Sequence, residues 1–209
     1  MDAYPQNSEC IACEYGRSAF DVKNRIVGSV FYELPIGPGK LLPVRGALDA
    51  VTGGWQVGGV FTHQTGLVGT PILGVDNSSI ASPFGAFDRP NPTGQSPYLS
   101  GSARTLNDWV NKAAYQTPAT GMPAGFFGTL QRGSFTGPGF TNLDASLHKA
   151  FNMPYNEKHQ LSIRFEAFNS LNHPNWNLPT MNLASSTFGR ITGITGNMRQ
   201  LQLAAKYQF

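Results

Sequence analysis

The segment GNMRQLQLAAKYQF, residues 196–209, decides the predicted fold. Within it, apolar side chains such as Leu201 and Leu203 alternate with glutamines and other polar or small residues. A period of two residues is typical of a β-strand that has one apolar and one polar face. Phe209 closes this strand with an aromatic side chain and no polar tail, although chain ends are normally solvated. The segment therefore predicts a terminal strand in surroundings unlike those of an ordinary chain end.

Four earlier segments show the same alternation, so the chain is predicted to be all-β with antiparallel strands. The predicted strands cover residues 23–35, 53–66, 140–152, 159–171 and 197–209. The first two are joined by the Gly/Pro-rich connection IGPGKLLPVRGALDAVT, and the third and fourth by the tight polar turn MPYNEK. A long loop rich in Gly, Pro, Asn and Ser is predicted over 67–139, with a short helix over Thr105–Gln116.

Short and long connections alternate along the chain in the way that outer-membrane β-barrels show. If the C-terminus is placed in the periplasm, the turn MPYNEK also lies there, and both long loops lie outside the cell. The prediction is therefore a set of antiparallel up-and-down strands of a transmembrane β-barrel with long extracellular loops. About five strands cannot close a barrel, because the smallest need 8. We therefore expect residues 1–209 to be the C-terminal part of a larger barrel.

A membrane barrel gives its two faces opposite surroundings, with lipid outside and a polar lumen inside. The charged fraction of only 13% agrees with extensive lipid contact. The residues predicted to face lipid are Leu161, Ile163, Phe165, Leu201 and Leu203. The polar residues predicted to face the lumen are Asp144, Ser146, His148, Ser162, Arg164, Glu166 and Gln200, among which Asp144, Arg164 and Glu166 are expected to form a charge network. The aromatic residues predicted near strand ends, as in an interfacial girdle, are Trp55, Phe151, Phe168, Tyr207 and Phe209.

Composition excludes several other classes of protein. The net charge of +3 is scattered without a Lys/Arg run, so no nucleic-acid partner is predicted. No segment approaches the roughly 20 apolar residues of a transmembrane helix. The start, MDAYPQNSEC, has no signal-peptide pattern, and an export signal is expected outside the chain shown.

The motif CIAC, from Cys10 to Cys13, has a spacing found in disulfides and in metal or redox sites. With two cysteines and no nearby histidine pair, a zinc site lacks ligands. A local disulfide, inert thiols and a metal or redox site remain the alternatives, with the disulfide favoured in an exported loop. No histidine pair has ligand spacing, and no nucleophile elbow or metal-ligand cluster occurs. The sequence therefore predicts no enzyme, no metal and no cofactor.

The end of the chain resembles the assembly signal of outer-membrane proteins. In that signal a polar residue, a small residue and two spaced aromatic or apolar residues close the last strand. Gln202, Ala204, Tyr207 and Phe209 occupy these places, with Ala204 where glycine is more usual. The resemblance implies that the barrel-assembly machinery is a partner, and that the last strand then pairs with the first strand of the barrel.

The wider chain resembles the C-terminal barrel segment of TonB-dependent receptors of the Oar-like kind. The matching stretches are FDVKNRIVGSVFYELPIG, GGWQVGGVFTHQTG, RPNPTG, RGSFTGPGFTNLDASLHKAF, LSIRFEAFNSLNHPNW and MRQLQLAAKYQF. The resemblance implies a barrel of about 22 strands with a plug inside, which takes up a large nutrient with energy from the inner membrane. The plug, the energy-coupling box and the N-terminal domain of that family are absent from residues 1–209. Missing N-terminal strands and plug, outer-membrane lipid and an unknown nutrient are the implied partners.

A second hypothesis is a secreted all-β module that binds glycans. In that case three tryptophans would serve as stacking platforms. They are Trp55, Trp109 and Trp176. The two hypotheses differ in whether the apolar faces of the strands meet lipid or a dry protein interior.

Overall fold

The computed structural model describes residues 5–79, 87–118, 126–153 and 155–209. The chain divides into two compact units. The first, called the loop unit, consists of Met1–Asn24, Thr65–Gly139 and Asn175–Thr195. The second, called the sheet unit, consists of Arg25–Gln64, Phe140–Pro174 and Gly196–Phe209.

Strands dominate the regular structure, as an all-β chain requires. They are β1 (Arg25–Glu33), β2 (Trp55–Gln64), β3 (Val68–Gly69), β4 (Asn91–Pro92), β5 (Tyr115–Gln116), β6 (Phe135–Thr136), β7 (Phe140–Met153), β8 (Asn156–Phe168) and β9 (Gln200–Gln208). One short α-helix, α1 (Ala47–Thr52), and three 3-10 helices (Ile11–Glu14, Gly101–Ala103 and Lys112–Ala114) complete the described elements. No helix within the described ranges is long and apolar enough to cross a membrane.

The sheet unit is a five-stranded antiparallel sheet in the order β1-β2-β7-β8-β9. Neighbours in the sheet are also successive long strands along the chain, which is the predicted up-and-down arrangement. Across the described part of the chain the sheet is open, with β1 and β9 at its edges. Both edge strands are exposed along their whole length.

The long strands start and end at slightly different residues from those predicted. β8 begins at Asn156, because Met153 pairs with Asn156 across a two-residue hairpin loop. Most of the predicted turn MPYNEK is therefore strand, and Pro154 within it lies outside the described residues. β8 ends at Phe168 because Asn169 adopts a left-handed φ of 47°, which a strand cannot continue.

The β1–β2 connection contains the helix α1, which the sequence analysis did not predict. Trp55, the first residue of β2, donates from Nε1 to the Val51 carbonyl at 2.9 Å. The Thr52 hydroxyl donates to the Leu48 carbonyl at 2.8 Å. Trp55 thus occupies one of the last carbonyls, which a helix leaves without backbone partners, and Thr52 adds a side-chain bond to the same short helix.

The loop unit contains short paired strands within the predicted long loop. Within the described parts of 67–139, β3 pairs with β6 and β4 pairs with β5. Residues 80–86 and 119–125 of the predicted loop lie outside the described residues. The predicted helix over Thr105–Gln116 is only the 3-10 helix Lys112–Ala114, where the Asn111 side chain accepts from the Ala113 amide at 3.1 Å.

A small apolar core holds the loop unit together. Phe135 is fully buried and stacks on Tyr98 with ring centroids 5.0 Å apart. Residues from distant parts of the unit complete this core, namely Val110, Ala114, Tyr115, Leu130, Trp109, Met181, Leu183 and Phe188. Because these residues are far apart in sequence, the core has no periodic pattern that sequence analysis could detect.

Candidate membrane-spanning sheet

One face of the sheet is apolar because the strand register aligns the apolar half of every long strand. Tyr32, Val57, Leu147, Phe165 and Leu203 are successive cross-strand partners and form one row across all five strands. Leu203 is 73% exposed and Phe165 is 42% exposed. Removing such a side chain from water stabilises a protein by about 1.5–3 kcal/mol. Four of the five residues of this row are exposed and Leu147 is half-buried, so the row favours an apolar environment over water.

All five residues predicted to face lipid lie on this apolar face. Ile163 and Leu161 follow Phe165 at steps of two along β8, and Leu201 precedes Leu203 on β9. Further members of the same face are Ile26, Val30, Phe61, Leu143, Ala145, Ala167 and Ala205. The apolar residues of neighbouring strands are thus aligned across the sheet.

The opposite face carries all seven residues predicted to face the lumen. Ser146 pairs with Glu166, and Glu166 pairs with Gln202. Arg164 lies 3.7 Å from Glu166 and is more than half exposed. The other predicted residues on this face are Asp144, His148, Ser162 and Gln200.

The predicted charge network is smaller than expected. Asp144 accepts from the Asn142 side chain and from the Asn169 backbone amide, each at 2.9 Å, whereas Arg164 pairs with Glu166. Asp144 does not join this pair because it lies further along the strands. Asp144 lies near the Asn169 end of β8, where its carboxylate caps the residue with the left-handed φ.

Strand β1 is apolar on both faces, which the sequence analysis did not note. Val27 and Phe31 lie on the polar face, and both are more than half exposed. A Cβ atom added at Gly58, the cross-strand partner of Phe31, would lie 3.0 Å from the Phe31 ring. The glycine therefore lets this ring lie close against the strand. The signal was present in the segment RIVGSVFYE, where both alternate sets contain apolar residues.

Lys149 interrupts the apolar face and was not among the predicted site residues. It is in phase with Leu147 on β7, yet it is only 3% exposed. Its Nζ donates to the Ala50 carbonyl of α1 at 2.6 Å. The same Nζ lies 4.7 Å from the centre of the Phe151 ring and 5.7 Å from that of Trp55. One carbonyl and two aromatic faces therefore surround the ammonium group.

The residues that match the assembly signal are divided between the two faces of β9. Gln202 and Ala204 lie on the polar face, and Tyr207 lies on the apolar face opposite Leu161. The Tyr207 hydroxyl contacts His159 Nδ1 at 2.6 Å and also the Tyr155 hydroxyl. Phe209 follows the strand, is 92% exposed, and stacks on the Tyr207 ring.

Aromatic residues cluster at one end of the apolar face. Three of them lie near the strand ends on the side of the sheet where β7 turns into β8, namely Trp55 on β2, Phe151 on β7 and Tyr207 on β9. Phe168 lies at the other end of the strands and on the polar face, where its cross-strand partner is Gln200. The predicted girdle is thus represented at one end by three side chains on one face.

Cys10 and Cys13 form a disulfide that joins the two ends of the sequence CIAC. The bonded pair encloses the start of the 3-10 helix Ile11–Glu14. Within the described ranges, no group of three or more His, Cys, Asp and Glu side chains is arranged to hold a metal ion.

A buried ion pair in the loop unit has no counterpart in the sequence analysis. Arg89 Nη1 lies 2.6 Å from Glu14 Oε2, and Arg89 Nη2 lies 3.0 Å from Glu14 Oε1. Arg89 Nη2 also donates to the Cys13 carbonyl at 3.2 Å. The Gln6 side chain accepts from the Arg89 amide and donates to the Gly128 carbonyl, each at 2.9 Å. This network, called the Arg89 clamp, joins three distant segments of the loop unit.

Burial, and to a lesser extent Tyr98, raises the pKa of Tyr115 from 10.0 to about 12. The unfolded state then loses the phenolic proton at lower pH than the folded state. The stabilisation of the folded state by this neutral phenol is complete below pH 10 and is lost as pH rises toward 12.

We expect Tyr115→Phe to remove this part of the alkaline destabilisation, as measured by urea midpoints at pH 9 and pH 11. Equal losses in the two proteins would contradict the assignment.

A model of the outer membrane beta barrel domain family matches residues 1–202. The chain therefore belongs to this family, and its location is the outer membrane. A search of curated proteins finds no match, and a search of solved structures finds none either. The all-β fold, the antiparallel sheet and the predicted outer-membrane location are confirmed.

Proposed function

We propose that the sheet unit is part of the wall of a TonB-dependent receptor barrel. In this proposal the apolar face meets outer-membrane lipid and the polar face lines a wet lumen. The observation that carries the proposal is the register, which places the row from Tyr32 to Leu203 on one face and the Glu166 row on the other. A membrane barrel wall has such a separation of faces, and β1, which carries Val27 and Phe31 on the polar face, departs from it.

The connections between the long strands support one orientation. The loop-unit segments Thr65–Gly139 and Asn175–Thr195 join β2 to β7 and β8 to β9. Since the strands are antiparallel, both connections begin at the same end of the strands, and the two-residue hairpin of β7 and β8 lies at the other end. Long loops outside and short turns in the periplasm are usual for outer-membrane barrels. We therefore assign the aromatic end of the apolar face to the periplasmic side.

The unpaired edge strands of the described sheet imply that further strands pair with it. Unpaired backbone groups in lipid cost several kcal/mol each, so β1 and β9 need further strands in a membrane. The proposal therefore includes the remaining barrel strands, a plug, the barrel-assembly machinery and a nutrient of unknown identity as partners. It includes no enzymatic activity, no cofactor and no nucleic acid.

Two of the three tryptophans of the glycan-binding hypothesis have rings that are already occupied. The Arg104 guanidinium lies 4.0 Å from the centre of the Trp109 ring, and Lys149 lies over the Trp55 ring. Both rings thus already contact cations of the same chain. A secreted module would also leave the outer membrane, where this family is located.

The proposed role is tested by uptake. Cells that contain the complete protein carrying this chain, and cells that lack it, are grown in a defined mixture of nutrients with and without a protonophore. We expect at least one compound to disappear from the medium only when both the protein and the proton gradient are present. Uptake that depends on the protein but not on the gradient would indicate a passive channel. Identical depletion by both strains would contradict a receptor.

A further inference from the structure

The β1–β2 connection covers the apolar face of the sheet at its aromatic end. Lys149 and Trp55, which are cross-strand partners on that face, donate to two successive carbonyls of α1, those of Ala50 and Val51. Two side chains of the sheet thus hold the helix against the face on which the lipid contact is proposed.

The outer surface of this connection is itself apolar. Leu41 is 82% exposed, Leu48 is 68% exposed and Val51 is 65% exposed. Leu42, earlier in the connection, is 54% exposed. Exposed leucines and valines concentrated on one short connection are typical of a surface that contacts a partner or a membrane.

Lys149 fixes how deep the hydrocarbon can extend along the strands. A lysine on the lipid face costs about 2–4 kcal/mol at the membrane midplane and about 0–1 kcal/mol near the interface. Here the ammonium group is covered by a helix carbonyl and two aromatic rings, and the aromatic Trp55 and Tyr207 lie at the same end of the sheet. This is the composition of a membrane–water interface, where amphipathic aromatic and basic side chains collect.

We propose that the β1–β2 connection binds the periplasmic leaflet of the outer membrane. Leu48 and Val51 of α1 insert at the boundary between lipid headgroups and acyl chains, and Lys149 marks that boundary beneath them. Lipid is the favoured occupant because Lys149 and Trp55 hold α1 at the apolar face of the sheet, which already requires an apolar environment, and the exposed side chains of α1 are themselves apolar. This inference rests on the proposed function, because it uses the same lipid-facing side.

The test uses the photoreactive residue p-benzoylphenylalanine in the complete protein, expressed in outer membranes. The substitutions are Leu48→p-benzoylphenylalanine on α1, Leu203→p-benzoylphenylalanine on the apolar face and Ser162→p-benzoylphenylalanine on the polar face. After irradiation, adducts are identified by mass spectrometry of the purified protein. We expect phospholipid adducts at positions 48 and 203 and none at position 162. Position 48 is exposed, so the substitution leaves the packing of the sheet intact.

The outcomes separate this inference from the proposed function. Lipid adducts at position 203 but none at 48 would overturn the inference alone. Protein adducts at 48 would show a protein partner and overturn it as well. Lipopolysaccharide adducts at 48 would place the connection at the outer leaflet and likewise overturn the inference. No lipid adduct at position 203 would overturn the proposed lipid face, and the inference with it.

Discussion

We expect Glu14→Gln to lower the free energy of unfolding of the loop unit by about 3–5 kcal/mol. Glu14 and Arg89 form a bidentate pair, and only 8% and 5% of their side chains are exposed. Removing the carboxylate leaves a guanidinium that remains charged at any ordinary pH and is cut off from water. A buried charge without its partner is among the few changes that destabilise a protein this strongly.

The position of the Arg89 clamp increases the expected effect. Arg89 also contacts the Cys13 carbonyl and, through its backbone, the Gln6 side chain, which in turn holds the Gly128 carbonyl. Loss of Glu14 therefore loosens the contacts among the N-terminal segment, the segment at Arg89 and the segment at Gly128. Hydrogen exchange of backbone amides over residues 87–118 measures this loosening in the membrane-embedded protein.

Two further variants control this experiment. Asp21→Asn removes the partner of Arg17 from an ion pair that is about 40% exposed, and we expect a loss of at most about 1 kcal/mol. The double variant Glu14→Met with Arg89→Met removes both charges and should regain much of the lost stability, since no buried charge remains. If Glu14→Gln and Asp21→Asn had equal effects, the clamp would not be a main support of the loop unit.

The sheet could be predicted from the sequence because its two faces differ in polarity. In β8 and β9 the apolar and polar sets alternate over the paired residues except at Phe168 and Ala204, so the period of two also indicates which residues share a face. The register between strands was not readable from single segments. It follows from the hairpin of β7 and β8 and from the match of the apolar sets across strands.

The parts that were missed depend on contacts between distant residues. Arg89 and Glu14 are separated by 75 positions, and Gln6 and Gly128 by 122. No local pattern records such a contact, so residues 67–139 were predicted only as a long loop, although the loop unit has its own core. Lys149 was missed for another reason, since its burial depends on α1, and a six-residue helix in a Gly/Pro-rich connection is too short for a helical period.

The face assignment itself predicts a difference between two arginine substitutions on β8. We expect Phe165→Arg to destabilise the membrane-embedded protein by about 2–4 kcal/mol, because its row spans all five strands and lies away from the aromatic end. Ser162→Arg, on the polar face of the same strand, should change stability by less than about 1 kcal/mol if that face is wet. Denaturant titration of the complete protein in lipid vesicles measures both.

A third substitution tests how far the lipid-facing region extends along the strands, as well as which face meets lipid. Ile163 is the cross-strand partner of Lys149, so Ile163→Arg lies at the level where the chain already carries a cation. We therefore expect a smaller loss than for Phe165→Arg, since the cost of an arginine falls from the midplane toward the interface. Equal losses for Phe165→Arg and Ser162→Arg would mean that neither face meets hydrocarbon. A larger loss for Ser162→Arg would mean that the polar side of the sheet, not the leucine side, requires a dry environment, and the assignment of lipid and lumen would be reversed.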